Sequence, residues 1–234
     1  MYAESAAFYD LLYEWKDYAA DVRRLRRLLR GRLRPPGRRL LETACGTGRY
    51  LEHLREHYDV EGLDVAPGML AAARERLPGV PLHEGDFRTF DLGRTFDVVL
   101  CLFSSIGYAH GVRDLRRAVA RMADHLAPGG VLVVGPWLSL EEFRPDSVHS
   151  SRHTAGDLHV VRMVTSRRRR RLSVMDMHHL VGTPEGTRHF VERHELWMFT
   201  DAELRDAFER AGLETTHDAR GLMGRGLWIG RRGA

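Results

Sequence analysis

The sequence predicts a doubly wound α/β fold: a mostly parallel, seven-stranded sheet with helices on both faces, carrying an inserted antiparallel β meander after strand five. Three observations carry this reading. Strand and helix patterns alternate from Arg39 to Val134, the rhythm that builds a parallel sheet covered on both sides. The strands of that half are Val/Leu-rich runs rather than alternating ones, as expected where both faces are buried. From Gly135 to Phe199 the character changes, and three stretches alternate with period two.

The elements follow in order. Residues Met1 to Tyr18 are crowded with aromatics: Tyr2, Phe8, Tyr9, Tyr13, Trp15 and Tyr18. Asp17 can cap a helix with the apolar stripe Val22, Leu25, Leu28 and Leu29, stopped at Pro35-Pro36-Gly37. A strand, Arg39 to Ala44, leads into Gly46-Thr47-Gly48 and a helix reaching about Tyr58. Val60 to Leu63 is a strand ending at Asp64, and Pro67 opens a helix that runs to Arg76. Val80 to His83 and Phe96 to Leu102 are the next strands. Leu115, Ala118, Val119, Met122 and Leu126 mark an amphipathic helix between Arg113 and Ala127, and Pro128-Gly129-Gly130 turns the chain into Val131 to Val134. The meander comprises Leu158 to Ser166, Arg171 to Val181 and Arg188 to Phe199. Thr200 and Glu203 form a capping box for a helix stopped by Gly212. Two short strands, Glu214 to His217 and Leu227 to Gly230, close the chain as a hairpin-like end. The domain reading is therefore 1–136 with 198–234 as one ligand-binding unit, and 137–197 as an inserted lid or dimerisation segment.

With 43% hydrophobic and 29% charged residues over 234 positions, the composition is that of a globular chain and excludes disorder. No apolar run is long enough to cross a bilayer. No apolar secretory segment follows Met1, so a cytoplasmic location is expected. Cys45 and Cys101 lie in apolar stretches without metal-ligand spacing, which fits two reduced core thiols. Lys16 is the only lysine among 36 basic residues, a skew we read as GC-rich codon usage. A net charge of +4 is weak support for nucleic acid and mildly favours an anionic small molecule.

Chemistry concentrates in Leu40-Leu41-Glu42-Thr43-Ala44-Cys45-Gly46-Thr47-Gly48. A glycine-rich turn after a strand lets backbone approach a ligand, and the following helix offers unpaired N–H groups. A dinucleotide fold would place a third glycine three positions after Gly48, where this chain has Leu51. Glu42 is awkward beside a pyrophosphate but useful beside an ammonium and a sulfonium. Asp64, at the next strand tip, can accept both hydroxyls of a ribose. In Gly85-Asp86-Phe87 a carboxylate or the adjacent backbone can meet an adenine amino group, with Phe87 flanking the ring.

On these motifs the chain resembles the class I S-adenosylmethionine-dependent methyltransferases over nearly its whole length. Lys16-Asp17-Tyr18-Ala19-Ala20, Ala44-Cys45-Gly46-Thr47-Gly48, Phe103-Ser104-Ser105-Ile106-Gly107-Tyr108, His125-Leu126-Ala127-Pro128-Gly129-Gly130 and Gly224-Arg225-Gly226-Leu227 resemble more closely the N,N-dimethyltransferases of dTDP-3-amino-deoxyhexoses in macrolide sugar biosynthesis. The resemblance implies a Rossmann-like methyltransferase sheet, S-adenosylmethionine as cofactor with S-adenosylhomocysteine as product, no metal, and a homodimer. It implies cofactor contacts from Tyr9, Tyr18, Ala44, Gly46, Asp64, Asp86, Phe87 and Leu102. Tyr2, Tyr108, Trp137 and Arg225 would face the sugar nucleotide, with Tyr2 and Tyr108 orienting the amine and Arg225 gripping a phosphate or sugar oxygen. After Pro136-Trp137 the family carries a second Trp and then Phe-Pro-Glu, whereas this chain has Leu138-Ser139-Leu140-Glu141.

Plainer readings stand beside these. Tyr9, Tyr13 and Tyr18 could staple the first helix to the sheet. His125 fits a helix C-terminal dipole partner rather than a base. His178, His179, His189 and His194 read as solvated or packing histidines, since strand alternation separates His178 from His179 and no Cys or acid completes a metal site. Arg167 to Arg171 reads as a solvated strand end. The competing functions are the same fold acting on another small amine or hydroxyl, and a non-enzymatic cofactor- or RNA-binding protein. No nucleic-acid or membrane partner is expected.

Overall fold

The computed structural model describes residues 4–33 and 37–234. A 3-10 turn (Ser5–Phe8) and α1 (Tyr9–Leu12) precede α2 (Tyr18–Leu29). Asp17 caps α2 as expected, accepting from the Ala20 N–H at 2.7 Å, and the stripe Val22, Leu25 and Leu29 is buried. Pro35 and Pro36, the expected stop, lie outside the described residues.

The chain then runs β1 (Arg39–Thr43), α3 (Arg49–Leu54), β2 (Asp59–Asp64), α4 (Pro67–Arg76), β3 (Leu82–Glu84), β4 (Phe96–Cys101), α5 (Val112–Asp124) and β5 (Leu126–Val134). After the insertion come α6 (Asp201–Arg210), β10 (Leu213–Asp218) and β11 (Leu227–Arg232). The main sheet has seven strands in the order β10-β11-β5-β4-β1-β2-β3, all parallel except β11, which runs against both neighbours. Apolar side chains of α5 and α6 pack on one face and those of α2, α3 and α4 on the other. The expected seven-stranded doubly wound sheet is present, hairpin end included.

The winding order matters most for function. The chain builds outward from β1 to β3, then returns to the other side of β1 to make β4. Neighbouring connections therefore leave β1 and β4 in opposite directions, opening a crevice at their carboxyl ends, where open α/β sheets bind ligands.

The inserted sheet has four strands, β6 (Ser147–Ala155), β7 (Leu158–Arg169), β8 (Leu172–Thr183) and β9 (Gly186–Trp197), antiparallel and in sequence order. Sequence reasoning missed β6. It is an edge strand with no buried side chain, so it lacks the apolar alternation that marks a strand. A second correction concerns α5, which stops at Asp124. Leu126 already belongs to β5, which runs through Pro128-Gly129-Gly130 with a register shift opposite Phe96 and Val98. Gly129 has φ +77°, so the expected turn is an irregularity within the strand.

His125 closes α5, with Nδ1 donating to the Arg121 carbonyl at 2.8 Å and Nε2 accepting the Leu92 N–H at 3.1 Å. The arginine run is only partly solvated. Arg167 pairs with Asp176 at 2.6 Å, and Arg171 binds Glu203 of α6 and donates to the Met198 carbonyl at 2.8 Å. Thr200 and Glu203 form the expected capping box. No helix among the described residues is long and apolar enough to cross a membrane.

Candidate active site

A cavity of about 370 Å³ opens over the carboxyl ends of β1, β2, β3 and β4. Backbone strain clusters at this rim. Ala44, after β1, has φ +56°, and Phe103 and Ser104, after β4, have φ +52° and +67°, values that L residues rarely adopt and that gather at functional sites. Gly46 has φ +56° with nothing within 4 Å of where a side chain would begin, so its backbone is bare toward the cavity. Gly48 caps α3 in the left-handed region and lies so close to α4 that a Cβ would meet Leu77 Cδ1 at 2.7 Å.

Asp64 is buried at the tip of β2. One carboxylate oxygen accepts the Gly46 N–H at 2.8 Å and the other the Ala66 N–H at 2.9 Å. Burial raises its pKa above the ordinary carboxylate range, opposed by these amides. Glu42 is buried deeper, and burial followed by the Asp64 charge pushes its pKa well up. Its Oε2 has no hydrogen-bond partner among the described residues. Asp86 is engaged by Arg88 at 2.9 and 3.0 Å. Burial alone would raise its pKa, but the Arg88 hydrogen bonds hold it below the ordinary value. Phe87 is buried and touches both the cavity and the core.

The amino-terminal aromatics form a wall. Tyr9 packs on Tyr13 at 4.7 Å between ring centroids, Tyr13 meets Phe103 edge-on at 5.2 Å, and Tyr18 meets Tyr50 at 4.9 Å. Burial raises the phenol pKa values of Tyr9 and Tyr18. This wall is tied to the glycine loop by Asp10, which accepts from Thr47 at 2.6 Å and from Arg76 at 2.5 Å. Lys16, the single lysine, is buried against Asp21 at 2.5 Å.

The remaining wall comes from elsewhere. The Arg225 guanidinium stacks 4.9 Å over Trp137 and donates to Ser104 Oγ at 3.1 Å. Trp137 Nε1 donates to Ser173 of β8 at 2.9 Å. Tyr108 Oη lies 2.7 Å from His194 Nδ1 of β9.

The structure brings Tyr9, Tyr18, Ala44, Gly46, Asp64, Asp86, Phe87, Tyr108, Trp137 and Arg225 around this cavity. Leu102 is the exception. Its side chain is 1% exposed, in the core on the α2–α3 side of the sheet, and Phe103 meets the cavity in its place. Tyr2 lies outside the described residues. Sequence reasoning missed Met175, Met177, His194 and Leu196, which line the cavity from β8 and β9. His194 is a buried packing histidine that also lines the cavity, and Glu192 supplies an acid 3.9 Å from the Nε2 atoms of both His194 and His179. The signal lay in the pairing of Met175 with His194 and of Ser173 with Leu196, one cross-strand face with period two. His178 and His189 stack on each other at 5.4 Å, and buried His179 stacks on Phe190 at 4.8 Å. Among the described residues no group of three or more His, Cys, Asp or Glu could hold a metal ion.

Residues 40–130 match the family model of a methyltransferase domain. The winding order, the glycine turn and the strand-tip acids are those of a class I S-adenosylmethionine-dependent methyltransferase. The chain is 41% identical to the dTDP-3-amino-3,4,6-trideoxy-alpha-D-glucopyranose N,N-dimethyltransferase of Streptomyces venezuelae, over 97% of each chain. It is 39% identical to the dTDP-4-amino-2,3,4,6-tetradeoxy-D-glucose N,N-dimethyltransferase of Saccharopolyspora spinosa, over 98% of this chain and 93% of that one. The solved structure of an S-adenosylmethionine-bound amino pentose methyltransferase from Micromonospora echinaspora, involved in calicheamicin biosynthesis, superposes with a TM-score of 0.85 at 42% identity over 96% of each chain. This protein belongs to the family of dTDP-amino-deoxysugar N,N-dimethyltransferases.

The residues present fit the cofactor. Glu42 is an acid buried at the cavity floor whose Oε2 has no hydrogen-bond partner among the described residues. A ligand cation beside it would offset the desolvation that now raises its pKa. The bare Gly46 backbone allows close approach, and Asp64 faces the cavity from the neighbouring strand tip.

Proposed function

We propose that this protein methylates the amino group of a dTDP-linked amino-deoxysugar twice, in the assembly of an antibiotic sugar. The observation that carries the reading is end-to-end likeness to enzymes of that substrate class, inserted sheet included. We assign the ammonium and sulfonium of S-adenosylmethionine to Glu42 and the Gly46 turn, its ribose hydroxyls to Asp64, and its adenine to the Asp86-Phe87 loop. Tyr9 and Tyr18 close over it, and Leu102 contributes backbone only.

S-adenosylmethionine supplies a methyl group already activated as an electrophile. What remains for the chain is to bring a neutral amine in line and exclude water, positioning worth about 7–11 kcal/mol. Tyr108 orients the amine, with Tyr2 assigned beside it by family likeness. Trp137 gives the sugar a flat face. Arg225 is half-buried, and burial lowers its pKa, so an anionic phosphate would regain much of the charge interaction it lacks. Glu142 acts on the same guanidinium and directly follows the Leu138 to Glu141 segment that departs from the family pattern. We place the choice of hexose there. Met175 and Met177 offer adaptable apolar surface for an amine that grows by two methyl groups.

We further propose a cytoplasmic homodimer without nucleic-acid or membrane partners. Residues 137–197 then serve as both lid and dimer contact. One face of the inserted sheet exposes Val148, Val161, Met163, Leu180 and Val191, an apolar patch of the kind that marks an interface.

The test is mass spectrometry of a panel of nucleotide-linked aminohexoses incubated with the enzyme and methyl donor. Two methyl groups should appear on the amine of at least one dTDP-amino sugar. Transfer to a free amine with none to any nucleotide sugar would refute the reading.

A further inference from the structure

Behind Tyr108 lies a buried polar row that the roles above do not use. His194, 1% exposed, holds Nδ1 2.7 Å from the phenol oxygen. Glu192, two residues earlier on the same face of β9, presents Oε2 3.9 Å from His194 Nε2. That carboxylate is fixed by the amino terminus: Ser5 Oγ donates at 2.5 Å, and the N–H groups of Ser5 and Glu4 donate at 3.3 and 3.2 Å. His179 of β8 faces the same carboxylate at 3.9 Å. Met175 lies opposite His194 across the strands, and Tyr9 of α1 neighbours Tyr108.

The charges in this row are set by their surroundings. Burial, together with the Arg162 charge on β7, outweighs Glu192 and lowers the His179 pKa to about 4, so His179 is neutral at neutral pH. Burial opposes the ionised form of Glu192, yet the facing His194 and the hydrogen bonds from Ser5 and Glu4 hold its pKa at about 2. Glu192 is therefore a fixed anion one residue-length beyond the His194 ring.

An aliphatic amine titrates above about pH 8 and arrives mostly as the ammonium, which has no lone pair to receive a methyl group. Each transfer also leaves an ammonium. Resting on the amino-sugar reading, we infer that Tyr108, His194 and Glu192 form a proton exit for the acceptor amine, with His194 acting through Tyr108. The ammonium N–H breaks and its proton bonds to Tyr108 Oη, while the phenol's own proton passes to His194 Nδ1. The amine regains its lone pair, and the positive charge moves to an imidazolium facing the Glu192 carboxylate. The imidazolium then passes its Nε2 proton to the facing Glu192 carboxylate, which is 11% exposed and releases it to solvent.

The test compares kcat/KM of His194→Asn with wild type on the methylated dTDP-amino sugar, from about pH 7 to about pH 9. Asn keeps an acceptor near the Nδ1 position but cannot carry the proton. At the lower pH the variant should fall about 10²-fold, the low end of general-base contributions. The deficit should shrink toward parity as the amine deprotonates unaided, with cofactor affinity by calorimetry unchanged. Tyr108→Phe should show the same pH-dependent deficit, and the double variant should be no worse than either single one. A deficit equal at both ends of the pH range, or none, overturns the proton exit while leaving the amino-sugar reading intact. Wild-type protein that methylates no sugar amine overturns both.

Discussion

Replacing Asp64 with Asn tests the cofactor half of the site at its most constrained point. The carboxylate accepts from Gly46 and from Ala66, one amide on each oxygen, at 2.8 and 2.9 Å. Asn offers one oxygen, so its NH₂ must face one of these N–H groups. Leaving such a donor unpaired costs about 1–3 kcal/mol of stability. In the proposed complex the same carboxylate accepts the ribose hydroxyls, and a hydrogen bond to a charged group contributes about 1.5–3 kcal/mol. Losing one of them should weaken S-adenosylmethionine binding roughly 10- to 100-fold, at about 1.4 kcal/mol per factor of ten. Titration calorimetry reads the affinity, and circular dichroism confirms that the variant is folded. A folded Asp64→Asn protein that binds the cofactor like wild type would remove Asp64 from the ribose.

Arg225→Met tests the nucleotide: KM for a dTDP-amino sugar should rise about tenfold or more, consistent with the loss of a charge-assisted contact of about 1.5–3 kcal/mol, while cofactor affinity holds. Unchanged steady-state kinetics would free Arg225 from the acceptor. Gly48→Ala should lower stability by about 2–4 kcal/mol in urea unfolding, since φ +79° is strained for Ala and the new Cβ would sit 2.7 Å from Leu77 Cδ1. A loss under about 1 kcal/mol would show that the loop relaxes freely. Glu192 has a folded-state pKa held near about 2 against an ordinary 4.5. Its contribution is therefore present above about pH 4.5 and lost as pH falls through about 2. Glu192→Gln should flatten the acid limb of thermal stability across that window, and an unaltered limb would assign acid sensitivity to other carboxylates.

The strand-tip residues assigned to the cofactor were legible as cavity residues because their determinants are local. Ala44, Gly46, Asp64 and Asp86 each sit within a few residues of a strand's carboxyl end, so placing the strand places the residue. Leu102 shows the limit of that logic: it lies just past the end of β4, where the pleat no longer sets side-chain direction, and its side chain is buried in the core while Phe103 lines the cavity. The positive φ angles at Phe103 and Ser104 then turn the following backbone over the crevice. Likewise β6 was unreadable because an exposed edge strand carries no burial pattern, and the start of β5 was hidden by the glycines that normally signal a turn.

The acceptor half failed for a different reason, and the failure separates two kinds of information in the chain. Alternation in β8 and β9 established that Met175, Met177, His194 and Leu196 could share a face, but not whether that face met solvent, a second subunit or the crevice. That choice depends on contacts between segments distant in sequence: Trp137 to Ser173, Tyr108 to His194, Ser5 to Glu192 and Arg171 to Glu203. Three of these join the inserted sheet to loops or to the amino terminus, and the fourth joins it to α6. The insertion is therefore held by polar contacts, two of them between cavity residues, together with the apolar packing of Phe8 and Leu12 on Val160 and Val181. A change on its inner face can consequently alter acceptor geometry while leaving the Gly46 turn and Asp64 untouched. Acceptor choice can thus diverge within this fold without disturbing the residues assigned to the methyl donor.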